Sequence, residues 1–171
     1  MRDPFELTLE VASAECGKLP DDKRLARALG LRLQMDELAY YELLGRHLGA
    51  AGAIWPIKNE LRRDLSTRDL DNLFVMMTPE EFGRWEQLPD RLTVYRGCYW
   101  ENKDGLAWSL DEKEAVRFPN MVRYRREASP LLVRGQVLRD RCVLKLCDGR
   151  ADIFAVDVQA GEAVQLPPRH H

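Results

Sequence analysis

Residues 94–118 read Val-Tyr-Arg-Gly-Cys-Tyr-Trp-Glu-Asn-Lys-Asp-Gly-Leu-Ala-Trp-Ser-Leu-Asp-Glu-Lys-Glu-Ala-Val-Arg-Phe, and this stretch decides how the chain is organised. β-formers dominate Leu92 to Tyr95, which predicts a strand ending in Arg96 and Gly97. Leu106 to Trp108 predicts a second, short strand ending in Ser109. A helix is expected immediately afterwards, capped by Ser109 or Asp111, with Glu114 completing a capping box with Asp111. Ala115 and Phe118 then share one face of that helix. The guanidinium of Arg96 is a permanently charged fork of donors suited to a phosphate or ribose-phosphate. Gly97 beside it allows the backbone to come close to whatever Arg96 holds.

Towards the C-terminus, Leu131–Leu138, Cys142–Leu146 and Ile153–Val158 predict three strands, and Ala163–Leu166 a short fourth. Pro119 to Ser129 carries Arg123, Arg125 and Arg126 and predicts an exposed loop. Those arginines suit solvent, an adenosine phosphate or a macromolecule. The Asp148-Gly149 turn places Asp152 at the start of the next strand, and Asp157, at odd spacing from it, on the opposite face.

Towards the N-terminus the pattern is helical. Phe5, Leu7, Leu9 and Val11 alternate with polar residues and predict a half-buried strand, with a short helix as the alternative. From Leu25 through Met35, Leu38, Tyr41 and Leu44 to Leu48, apolar residues recur every three or four positions, predicting a long amphipathic helix interrupted at Gly30. Gly49 to Pro56 breaks the pattern. Further helices are expected over Ile57–Leu65, after Ser66 or Thr67, and from Thr78-Pro79-Glu80-Glu81, whose capping threonine and first-turn proline mark a start. The chain divides into a mainly helical segment, 1–89, and a β-rich core, 90–168, forming one compact domain together.

At 171 residues, 45% hydrophobic and 32% charged, the chain has the composition of a globular domain. A net charge of −2 and a pI near 6.0 give no global attraction to nucleic acid or an acidic membrane. No apolar run has signal-peptide or membrane-spanning length, so a cytoplasmic protein is expected, and a toxin delivered by a contact-dependent machine looks the same. Cys16, Cys98, Cys142 and Cys147 lack metal-ligand spacing and are expected as free thiols, with no metal site. His170 and His171 look like the remnant of a purification tag.

The succession of Tyr95-Arg96, the serine strand Ala107-Trp108-Ser109 and a late carboxylate, Asp152, resembles the ADP-ribosyltransferases of the arginine–serine–glutamate class, of the toxin and phage-effector kind. The resemblance covers roughly Leu88 to Val158. It implies an α+β fold, with a helical N-terminal segment followed by a split antiparallel β core whose cleft binds NAD as substrate. It implies catalytic roles for Asp152, Ser109 and Arg96: Arg96 holding a pyrophosphate or ribose oxygen, Ser109 bonding the carboxylate or the nicotinamide ribose, and Asp152 stabilising positive charge on the anomeric carbon. Tyr95, Arg96, Gly97, Trp108, Ser109 and Phe118 are the implied NAD-binding residues. Trp108 and Phe118 suit either the nicotinamide pocket or the core. Tyr99 and Trp100 suit a cofactor cover, a target contact or a fold back onto the core. Asp152 stands where the family carries glutamate, and its carboxylate falls short by about 1 Å, a displacement that costs on the order of 100-fold in a positioned reaction. Arg150 stands where arginine-modifying members carry a second glutamate, which argues against arginine as acceptor. The implied activity is mono-ADP-ribosyl transfer to a protein or other macromolecule, nucleic acid remaining open. NAD hydrolysis, an inactive NAD- or protein-binding module, and an unrelated structural protein are the alternatives.

Overall fold

The computed structural model describes residues 6–49, 54–67 and 69–167. Phe5, the first four residues, residues 50–53 of the break before Pro56, and the terminal histidines lie outside the described residues. The described residues form seven α-helices followed, with α7 interposed, by one six-stranded antiparallel sheet.

The first helix, α1 (Leu9–Gly17), replaces the expected strand. Its buried residues are Ala12 and Cys16, four apart on one face, while Val11 is 55% exposed. Helical packing thus overrides the period-two pattern, and Thr8 caps the start by accepting from Val11 N at 3.4 Å. The expected long helix is two, α2 (Asp21–Gly30) and α3 (Glu37–Leu48), joined through a 3₁₀ turn at Arg32–Gln34. The break follows Gly30. Asp36 restarts the helix by accepting from Leu38 N at 3.0 Å and Ala39 N at 3.3 Å.

α4 (Lys58–Thr67), α5 (Leu70–Val75) and α6 (Pro79–Glu86) follow as the sequence predicts. In α6 the capping box forms: Glu81 N donates to Thr78 Oγ1 at 3.2 Å, and Thr78 N to Glu81 Oε2 at 2.9 Å. Gly45 on α3 lies against the backbone of Met76, where a Cβ would fall 2.2 Å from Met76 O. Only a glycine allows that approach.

The strands are β1 (Arg91–Cys98), β2 (Ala107–Ser109), β3 (Leu131–Leu138), β4 (Cys142–Cys147), β5 (Arg150–Ala155) and β6 (Gln159–Gln165). Their spatial order is β4-β5-β2-β1-β3-β6. β1 and β2 meet through a single residue pair, Tyr95 opposite Ser109. The sheet is therefore two three-stranded halves, β4-β5-β2 and β1-β3-β6, joined at one point. β5 starts three residues earlier than predicted, which puts Asp152 inside the strand, and β6 is longer than the expected short strand.

The helical segment packs on the β4 edge. Lys145 on β4 donates to Glu81 Oε2 at 2.6 Å and Met76 O at 2.9 Å, while Leu146 N donates to Glu81 Oε1 at 2.9 Å. Burial pushes the Glu81 carboxyl upward, but these hydrogen bonds outweigh it and hold the group below the usual carboxylate range. One continuous core runs from Ala12 and Leu44 through Trp85 to Val94, Leu144 and Ile153, so the two sequence segments share one interior.

Candidate active site

Between β2 and β3 lies α7 (Glu112–Arg117). Its N-cap is Asp111, which accepts from Lys113 N at 2.8 Å. The capping box expected with Glu114 does not form: Glu114 pairs with Arg117 at 2.9 Å instead. Ser109 Oγ accepts from Asp111 N at 3.1 Å, which fixes the strand-to-helix turn and leaves the hydroxyl proton free to donate.

Strand register brings the predicted site together. Tyr95 faces Ser109 across β1 and β2, and Ser109 faces Asp152 across β2 and β5. Directly opposed residues project from the same face of a sheet, with Cβ atoms about 5 Å apart. Tyr95, Ser109 and Asp152 thus form a row across the junction of the two half-sheets. All three line a cavity of about 520 Å³, a volume within the range of small-molecule sites.

Arg96 fills the opening where β1 and β2 part. It donates from Nη1 to Ala107 O at 2.6 Å, from Nη2 to Asn102 O at 3.0 Å and from Nε to the same oxygen at 3.3 Å. Three of its five N–H donors thus hold Asn102 and Ala107, tying the 99–105 loop to the start of β2, and the side chain lines the cavity. Burial lowers its pKa from the ordinary value. The side chain also explains Gly105, since a Cβ there would sit 2.1 Å from Arg96 Nη2.

Gly97 answers to packing as well as to the cavity. A Cβ at Gly97 would fall 1.7 Å from Ala115 O, so the packing of α7 requires the glycine, which also lines the cavity. Trp108 belongs to the core. It pairs in register with Ile153, on the face opposite Ser109, and is 5% exposed. Its edge reaches the cavity wall, and its indole Nε1 has no partner among the described residues. Phe118 is half-buried on the cavity wall, 5.7 Å from the ring of Tyr124, with the Arg150 guanidinium 5.0 Å above it. Tyr99 folds back onto the core and Trp100 does not; they are 3% and 67% exposed.

The electrostatics are lopsided. Lys58, Arg96, Arg123, Arg125, Arg126 and Arg150 line the cavity, against two acids, Asp148 and Asp152. Asp152 accepts no hydrogen bond from the described residues. Burial pushes its carboxyl above the ordinary aspartate range, with Arg150 opposing the shift and Glu114 adding to it. Asp157, by contrast, is engaged by Arg141 at 2.8 Å, away from the cavity. Cys98 and Cys147 also line the wall, and burial raises both thiols above the ordinary cysteine range.

Two contributors escaped the sequence reading. Lys58 comes from α4 and donates to Asp104 Oδ2 at 2.9 Å, clamping the 99–105 loop together with Arg62, whose Nη2 donates to Asp104 O at 2.6 Å. No local pattern announces a contact across more than forty residues. Tyr124 had a signal, an aromatic residue inside an arginine-rich loop six residues after Phe118, but nothing in the sequence separates it from a solvent-facing ring. Among the described residues no cluster of histidine, cysteine or carboxylate side chains could hold a metal ion, and no helix is long and apolar enough to cross a membrane. No family model matches the chain, and neither a curated protein nor a solved structure matches it.

Proposed function

We propose that the protein is an NAD-dependent mono-ADP-ribosyltransferase acting on a macromolecule, with Asp152, Ser109 and Arg96 as its catalytic set. The observation that carries this reading is the row Tyr95–Ser109–Asp152 across the junction of two half-sheets, beside Arg96, in one electropositive cavity. Two three-stranded halves joined by a single pair agree with the split core that the family resemblance implies.

NAD fits the cavity by charge and shape. Its pyrophosphate meets Arg96, and its nicotinamide lies against Phe118 and Tyr124. The Asp152 carboxylate, which accepts no hydrogen bond from the described residues, is available to the ribose. A carboxylate in a partly desolvated site stabilises the positive charge that grows on the anomeric carbon as the bond to nicotinamide loosens. Ser109, opposite it, orients a ribose hydroxyl or the carboxylate itself. The acceptor then bonds to the anomeric carbon, and the electron pair of the broken bond leaves with nicotinamide.

Nicotinamide release from NAD by the purified chain, with and without cell lysate, tests this directly. Asp152→Asn is the decisive variant, because Arg96→Ala also removes three hydrogen bonds that hold the loop. Release that rises with lysate and is lost in Asp152→Asn is expected. Release unchanged in Asp152→Asn would sink the assignment, release indifferent to lysate would point to an NAD glycohydrolase, and binding of NAD without release would leave an inactive member of the fold.

A further inference from the structure

The cavity's rim has a chemistry that the NAD site itself does not use. Arg150 stands two residues before Asp152 on the same face of β5, and its buried Nε has no hydrogen-bond partner among the described residues. A cationic acceptor approaching Asp152 would meet this guanidinium and be repelled, whereas an anionic one would be drawn in. The wall beyond it is built from two loops stitched by the Tyr99 hydroxyl and by Arg126, whose Nη1 donates to Glu101 Oε2 at 3.2 Å. Tyr99 donates to Pro119 O at 2.6 Å and accepts from Arg126 N at 3.1 Å. From Pro119 to Arg126 that wall contains three arginines and no acid.

Next to Tyr99 on the first of these loops stands Trp100, 67% exposed, with Lys103 Nζ 3.8 Å above its ring. The 3₁₀ turn that carries Trp100 is held by Tyr99 N donating to Asn102 Oδ1 at 2.8 Å and by Arg96 gripping Asn102 O. The ring is therefore presented on a fixed support. Fixed aromatic faces beside a line of cations are the means by which proteins hold unpaired nucleic acid: bases stack and phosphates meet arginine. An acidic peptide would satisfy the arginines but leave the flat face of Trp100 unmatched. A duplex would keep its bases stacked and paired, out of reach of the cavity.

We infer that the acceptor is a single-stranded nucleic acid, stacked on Trp100 and held by Lys103, Arg123, Arg125, Arg126 and Arg150. This rests on the transferase reading above. In the transfer a base nitrogen attacks the anomeric carbon of the nicotinamide ribose and forms the new carbon–nitrogen bond. The bond to nicotinamide breaks and takes its electron pair to the nicotinamide ring, and the proton of the base nitrogen passes to Asp152 or water.

The test incubates the full chain with adenine-labelled NAD and, separately, a mixed-sequence DNA strand, the same sequence as RNA, its duplex, polyglutamate and polyarginine. Label is expected in a single strand and not in the duplex or the polypeptides. With five phosphate contacts, labelling at sub-saturating strand falls about 100-fold between 50 and 200 mM salt. Trp100→Ala lowers labelling about tenfold and leaves basal nicotinamide release without acceptor as it is in the unaltered chain. Nicotinamide release accompanied by label in polyglutamate or polyarginine alone overturns the acceptor and spares the NAD reading. Labelling of the strand that is unchanged in Trp100→Ala overturns the docking surface. No nicotinamide release under any condition overturns both readings.

Discussion

Asp64 on α4 and Asp152 on β5 are carboxylates withdrawn from water in opposite circumstances. Asp64 is fully buried and surrounded: Tyr40 donates to its Oδ2 at 2.6 Å, and Arg32 and Arg63 donate to its Oδ1 at 2.8 and 3.1 Å. Tyr41 adds a bond to its carbonyl at 2.9 Å, and burial together with Asp64 pushes the Tyr40 hydroxyl well above its usual pKa. Asp152 has a serine opposite it and an arginine nearby, yet no hydrogen bond from the described residues. A satisfied buried carboxylate holds a fold together, whereas an unsatisfied one is held ready for something else. The same contrast separates Glu81, bonded from Lys145, Leu146 and Thr78, from Arg150, whose Nε is buried without a partner among the described residues.

The contrast breaks most clearly by substitution at the two aspartates. Asp64→Ala strands the Tyr40 hydroxyl and the Arg32 and Arg63 donors and is expected to cost about 3–5 kcal/mol in urea unfolding. Activity per folded molecule should be unchanged, because α4 reaches the cavity only through Lys58. A loss under 1 kcal/mol would mean that the Asp64 cluster is not a structural node.

Asp152→Asn should reverse this pattern, reducing nicotinamide release by about 10²–10³-fold with no loss of stability at pH 7. The sign follows from linkage. A carboxyl whose folded pKa is raised destabilises the fold fully above that pKa, and the penalty fades as pH falls towards the unfolded value. Asparagine removes the penalty, so the variant should be at least as stable as the parent at neutral pH and lose that advantage in acid. In the parent, nicotinamide release should fall on acidification at a pH above the ordinary aspartate pKa. A limb at or below that value would contradict the desolvated carboxylate.

Gly97→Ala sharpens the comparison at the level of packing. Its new methyl meets Ala115 O, and a cost of about 1–3 kcal/mol in thermal unfolding is expected as α7 shifts. Unchanged NAD affinity per folded molecule would agree with a packing role, whereas loss of binding with intact stability would return Gly97 to the ligand. The smallest effect is expected at Ser109→Ala, which removes the acceptor for Asp111 N and should cost about 0.5–1.5 kcal/mol. A further drop in turnover beyond that loss of folded protein would mark the hydroxyl as part of the chemistry.

Much of this arrangement was legible from residue types alone. β-branched and aromatic runs announced β1 to β5, Thr78-Pro79 announced α6 with its capping box, and Asp148-Gly149 announced the hairpin before Asp152, with both residues at positive φ in the structure. These are local signals, set by propensity and capping within a few residues. The alternation from Leu7 to Val11 misled because no strand lies near enough to pair with it, whereas α2 and α3 offer a surface for Ala12 and Cys16. Glu114 was misread because Arg117, one turn away, competes for it more effectively than the helix start.

Local residue types settled the α+β class and the order of elements from α4 onwards, because each rests on neighbours within a few residues, and the family resemblance singled out Arg96, Ser109 and Asp152 as candidates. Only the tertiary structure decided that Ser109 and Asp152 stand opposite one another, that Gly97 answers to α7, that Trp108 turns inward and that Lys58 reaches the cavity from α4. Strand register and helix packing are settled by burial of apolar faces and pairing of backbone groups between segments far apart in the chain, and no local stretch of residues encodes them.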